Sequence, residues 1–284
     1  MQKSVAGFQY RIQPEHADNL RCRIRSFACL RGKITLLPRA HRMIGKMLFD
    51  PERKVIMDWS GKAGCTIGTM MFFRHMGLLD EAREHHPWVH NYRGEVFYER
   101  YPVTVNDLLS RKNTLIKVVR NPYTRVISSL QNKVRALGKN WRILDVLKLK
   151  SIEEITFRQF VSFLESTDLR VKCDIHYQEQ VQDYELLNLR HPIICRLENL
   201  AEDIAWVNQR YGFDFDLEGL TSDHHAKVNQ KWKGFAADVP WSEFAEGVPE
   251  YGNFYDAELR TRVSRLYQGD IKAYQYTFPW SENL

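Results

Sequence analysis

The chain has 284 residues, 44% of them apolar and 12% aromatic, which supports a sizeable folded core and excludes a disordered or low-complexity protein. Lysine and arginine total 41 against 35 acidic residues, a net charge of +6. That balance favours an anionic partner, whether nucleic acid, a membrane surface or an anionic small molecule, without choosing among them.

Residues 1–50 carry much of the basic excess, in Arg21, Arg23, Arg25, Arg31, Lys33, Arg39, Arg42 and Lys46. They read as a basic N-terminal extension, irregular or helical, of a single domain spanning 1–284. The stretch serves either as a docking surface for an anion or as a solvated face. Lys54 to Trp59 then predicts a strand, Ser60-Gly61-Lys62-Ala63-Gly64 a turn, and Cys65 to Met76 a helix ended by Gly77. Leu115 to Val119 is a short apolar run of the kind buried in parallel sheets. Arg120-Asn121-Pro122 breaks it, and a helix follows from Tyr123 to about Leu137. Thr156 with Gln159 forms a capping-box pattern. Pro192 to Arg196 predicts another strand, after which Asn199 with Glu202 is placed to cap a helix closed by Gly212. Strands alternating with helices predict an α/β domain, a three-layer P-loop-like fold with a central, mainly parallel sheet flanked by helices. Ligands of such sheets bind at the carboxyl ends of strands, where the turns after Trp59 and Val119 both lie.

The first of these turns has the parts of an anion cradle. Glycines let backbone N–H groups converge, the next helix aims its positive end at the same spot, Lys62 adds a full charge and Thr66 a hydroxyl. It does not match the ATP-type P-loop, because Cys65 stands where that pattern needs lysine. An ordinary strand-to-helix turn with a surface lysine has the same composition. At the second turn, Arg120 and, eight positions on, Ser128 are spaced to place a guanidinium and a hydroxyl near one phosphate. An arginine paired with a carboxylate and a serine that merely lies on a helix would look alike.

Together, Gly61-Lys62-Ala63-Gly64-Cys65-Thr66 and Val119-Arg120-Asn121-Pro122-Tyr123-Thr124-Arg125, with Ser128 beyond, resemble the PAPS-dependent carbohydrate sulfotransferases of the membrane-associated, chondroitin/HNK-1 type. Asp174-Ile175-His176 with Gln180, Arg196 to Asp203, and Tyr267 to Asp270 with Tyr274 are similar to that family's later segments. They follow in the same order, so the resemblance covers about residues 53–276. It departs at Gly61, where the family has proline, at Ile67 and at Asn121; the Gly61 exchange implies a more mobile loop.

The resemblance implies transfer of a sulfuryl group from 3′-phosphoadenosine 5′-phosphosulfate (PAPS) to a hydroxyl. Lys62, Gly64, Cys65 and Thr66, within the loop that also holds Gly61 and Ala63, would bind the 5′-phosphosulfate. Arg120 and Ser128 would bind the 3′-phosphate, and Arg125 would pair within the core.

 The acceptor hydroxyl is thus expected on a carbohydrate, with a small metabolite or a lipid as the alternative. No metal is expected, since a sulfuryl group carries less charge than a phosphoryl group. A base must take the acceptor's proton, and histidine suits that task near neutral pH. His176 is the first candidate and His90 the second, ahead of His85 and His86. The polar loop Asp223 to Asn229, with Lys231 and Lys233, is either a lid over the ligands or solvated. Two readings of other classes stand beside this one. A P-loop nucleotide kinase would need a Walker-type lysine, and a non-catalytic polyanion-binding protein would leave both anion loops unexplained. Five cysteines at irregular spacing, with no Cys-x-x-Cys pair, argue against a zinc site and for a reducing compartment. With no long apolar run and no signal-type N-terminus, the expected location is the cytoplasm, or the Golgi lumen if an anchor has been removed.

Overall fold

The computed structural model describes residues 44, 46–135, 140–170, 173–221 and 232–280. The basic stretch before residue 44, Cys22, Cys29 and the polar loop from Asp223 to Lys231 lie outside the described residues.

Four strands form one sheet in the order β1 (Leu48–Asp50), β2 (Val55–Trp59), β3 (Thr114–Val119), β4 (Ile193–Arg196). β2, β3 and β4 are parallel, in a register that sets Val55 beside Thr114 and Ile116 beside Ile193, while β1 is antiparallel to β2. Every residue of β2 is buried, as expected of an interior strand covered on both faces. β1 falls inside the stretch read as an extension. Its three residues give too little pattern to be seen in sequence, and its turn is tied by Asp50, whose carboxylate accepts the N–H groups of Glu52 and Arg53 at 2.9 and 3.0 Å.

The longer helices are α1 (Cys65–His75), α2 (Leu79–His85), α3 (Pro122–Arg135), α4 (Trp141–Leu147), α5 (Phe157–Glu165), α6 (Leu200–Tyr211), α7 (Ala257–Leu266) and α8 (Gln268–Tyr274). One face of the sheet, with Val55, Met57, Ile116, Val118 and Cys195, packs on Met71 and Phe72 of α1 and Ile204 and Val207 of α6. The other face carries Ile56 and Leu115 against Leu108 and Tyr184, and Val119 against Val181 and Tyr274 of α8. This is the expected α/β layering about a mainly parallel sheet. A second cluster joins α3, α5 and α7 through Ile127, Phe160, Phe163, Leu259 and Val263.

The second sheet face also buries charge. Lys117 donates to the Gln180 carbonyl at 2.6 Å and pairs with Glu185, and the Tyr184 hydroxyl donates to Asp58 at 2.8 Å. The Thr156–Gln159 capping box of α5 forms as the pattern predicts. The expected Asn199 cap does not: Asn199 sits at the N-cap of α6, but its side chain makes no capping bond. A 3₁₀ turn, Leu197–Asn199, leads into the helix instead, and Asp203 accepts the Arg196 N–H at 2.6 Å. Among the described residues no helix is long and apolar enough to cross a membrane.

Candidate functional site

The loop after β2 is built to leave N–H groups free. Lys62 and Gly64 both adopt left-handed backbone, at φ 65° and 76°, and Gly64 is the N-cap of α1 with no side-chain capping bond. No acidic residue occupies the first turn of α1. Its N–H groups and partial positive charge therefore remain for a ligand. Ala63 is buried beneath the loop, and Cys65 and Thr66 open the helix.

Two close approaches fix this loop. A Cβ on Gly64 would lie 2.6 Å from Leu197 Cδ1. A Cβ on Gly61 would strike the Ile175 carbonyl oxygen and come within 3.0 Å of the His176 Cα. Gly61, expected to loosen the loop, is thus a point of close packing. Burial pushes the Lys62 ammonium below the usual lysine range; Cys65 acts against this, while Arg120, Arg135 and Lys133 add to it. Four cations converging on one place form a setting that an anion would complete.

The turn after β3 meets this loop directly. Arg120 donates from Nη1 to the Lys62 carbonyl at 3.1 Å and from Nε to Thr124 Oγ1 at 3.1 Å. Ser128 is buried on α3, one helical turn beyond Thr124 and on the same face. Arg125 is buried and ties three segments. Its Nε donates to the Gly61 carbonyl at 2.8 Å, its Nη2 to the Gln178 carbonyl, and its Nη1 lies 3.9 Å from Asp270. That is the core role expected of it.

His176 lies on the far side of Gly61. Its Nδ1 is 2.6 Å from Asp174 Oδ1, and the other oxygen of that carboxylate accepts from Lys133 at 2.5 Å. Burial raises the Asp174 carboxyl, but the hydrogen bonds from His176 and Lys133 outweigh it and hold the group well below the usual carboxylate range. His90 has a different setting: its Nε2 is 3.1 Å from Thr66 Oγ1 and 3.9 Å from Cys65 Sγ. His85 is 2.8 Å from Glu95, and His86 accepts the Trp88 N–H.

The remaining sequence segments converge behind these residues. Gln180 pairs with the backbone of Arg120. Asp270 accepts the N–H groups of Gln180 and Val181 at 2.7 and 3.0 Å, and its carboxyl is pushed up by burial. Glu198 accepts the Asn121 N–H at 2.8 Å and the Tyr276 hydroxyl at 3.1 Å. Asn121 donates to the Thr277 carbonyl at 2.9 Å, and the Tyr267 hydroxyl to the Tyr177 carbonyl at 2.8 Å. The sequence reading missed Lys133, Thr124 and Tyr251, whose ring lies 6.0 Å from the Arg120 guanidinium. For Lys133 a signal existed: Arg125, Ser129 and Lys133 recur every fourth residue along α3. All three hold the segment 174–178, Ser129 through the His176 carbonyl at 2.6 Å.

Parallel strands whose carboxyl ends carry two linked, cation-rich loops define the α/β architecture of the chain. The model of the sulfotransferase family matches residues 46–277. The chain belongs to the sulfotransferase family, and membership makes it a transferase working between a sulfonate donor and an acceptor. No curated protein and no solved structure matches it significantly.

Proposed function

We propose that the protein transfers the sulfuryl group of PAPS to a hydroxyl of a carbohydrate. The observation that supports this reading is the bond from Arg120 to the Lys62 carbonyl, which ties the turn after β3 to the turn after β2. The cradle of Gly61, Lys62, Ala63, Gly64, Cys65 and Thr66 suits a 5′-phosphosulfate, and Arg120 with Ser128 suits a 3′-phosphate. Both sets are donors of hydrogen bonds, the chemistry needed by a ligand with an anionic group at each end.

In the proposed step the acceptor oxygen attacks sulfur in line with the bridging oxygen. A new S–O bond forms, the S–O bond to the 5′-phosphate breaks, and 3′-phosphoadenosine 5′-phosphate leaves. The acceptor's proton passes to His176 Nε2. Asp174, as a carboxylate, can only accept at Nδ1, so in the neutral ring the lone pair is left on Nε2. Lys62 and the α1 N-terminus stabilise charge on the leaving oxygen. His90 orients Thr66. Trp88, half exposed and edge-on to His90 at 5.2 Å, offers an aromatic surface that supports a ring-bearing acceptor.

Calorimetric titration with 3′-phosphoadenosine 5′-phosphate and with ATP, without added metal, tests the donor site. The reading expects preference for the 3′-phosphorylated ligand, lost in Arg120→Ala; equal binding of ATP overturns it. His176→Ala should lose about 10²–10⁴-fold in turnover with ligand binding kept, and His90→Ala much less.

A further inference from the structure

We infer that Lys133 is a positioning residue, which shares the Asp174 carboxylate with His176 and so sets how readily that imidazole gives up a proton. The inference rests on the reading of His176 as the base, and it concerns a residue that touches neither the donor loop nor an acceptor hydroxyl.

The geometry is a chain of three groups. Lys133 Nζ meets Asp174 Oδ2 at 2.5 Å, and Asp174 Oδ1 meets both the His176 ring at 2.6 Å and the His176 N–H at 2.9 Å. The Lys133 side chain is 6% exposed, so its ammonium has given up most of its water for this one carboxylate and for the Tyr177 ring at 5.8 Å. A buried ammonium is costly to hold, and removing its charge from beside a carboxylate leaves the whole of that negative charge to the remaining partner.

That partner is the imidazole. With Lys133 absent, Asp174 would stabilise the imidazolium alone and His176 would stay protonated to higher pH. With Lys133 present, the ammonium and the imidazole share that one carboxylate. The other charges here act in known directions. Tyr177 lies on the same segment, Lys62 approaches from the donor loop, Lys46 is coupled to Asp174, and Arg142 of α4 acts on Tyr177. Among these groups Lys133 is the one bonded to the carboxylate that holds the ring.

The test compares wild type with Lys133→Met, Lys133→Gln and Lys133→Arg in two measurements. The first is the pH profile of turnover with PAPS saturating. The second is the nuclear magnetic resonance titration of the His176 ring, assigned by His176→Gln. Lys133→Gln keeps a hydrogen-bond donor without the charge, so it separates charge from position and replaces the methionine variant should that one not fold. The expectation is that both neutral variants move the acid limb of turnover and the ring titration upward together by about one unit, and that Lys133→Arg restores them. A ring titration unmoved in both neutral variants overturns the inference. The base reading fails separately, if His176→Gln keeps full turnover, and the ring titration still decides the role of Lys133 in that case.

Discussion

Gln180 treats Arg120 as a neighbouring strand would. Its side-chain Oε1 accepts the Arg120 N–H at 2.9 Å, and its Nε2 donates to the Arg120 carbonyl at 2.8 Å. β3 ends at Val119, so this amide extends the ladder by one residue and fixes the direction in which the guanidinium leaves the backbone. Gln180→Ala leaves both backbone groups without this partner, at about 1–3 kcal/mol. Calorimetry should show roughly 10- to 100-fold weaker binding of 3′-phosphoadenosine 5′-phosphate.

Gly61→Ala forces a methyl group against the Ile175 carbonyl and the His176 Cα. Backbone atoms cannot swing aside as a side-chain tip can, so the donor loop and the histidine segment must separate. Overpacking of this kind costs about 1–3 kcal/mol, read as a lower urea midpoint. Turnover should fall further than donor binding, because the change alters the distance between the two loops more than either loop alone.

The buried pair of Lys117 and Glu185, both nearly excluded from solvent, predicts a stability effect away from the site. Glu185→Gln strands an ammonium in the core and should cost about 3–5 kcal/mol in urea unfolding. Replacing both, as Lys117→Met with Glu185→Leu, should cost less than the sum of the single changes.

Acid sensitivity should pass through Asp174. Its folded carboxyl lies below the usual range, whereas in the unfolded chain it titrates near 3.9, at about the ordinary aspartate value. Its contribution to stability is therefore full above that value and is lost as pH falls below it. The urea midpoint of wild type should drop more steeply on acidification from about pH 5 than that of Asp174→Asn.

Much of this architecture is legible in sequence because it is local. The runs at Val55–Trp59 and Leu115–Val119 are each apolar but for one charged residue, Asp58 and Lys117, and glycine or proline follows each one closely. The turns after β2 and β3 follow from their own residues. What the sequence hides is the work done on backbone groups by distant side chains. Gln180, Glu198 and Asp270 can be placed by resemblance, but that they hold Arg120, Asn121 and Gln180 depends on pairings 60 to 90 residues apart. The link from Lys133 to Asp174 spans 41 residues. The Asn199 cap fails for a local reason, since the 3₁₀ turn before α6 sets that residue's backbone away from a capping conformation.

The bond from Asn121 to the Thr277 carbonyl and the Asp270 carboxylate beneath Gln180 bear on the order in which a ribosome delivers the parts. A growing chain that has emerged through α6 already contains every residue of both anion loops. It lacks the two late acceptors that hold their supports in place, so it has the ingredients of the donor site without its rigidity. A chain that ends before α8 therefore lacks the contacts that fix Asn121 and Gln180, and under the proposed function it should bind 3′-phosphoadenosine 5′-phosphate more weakly than the full chain.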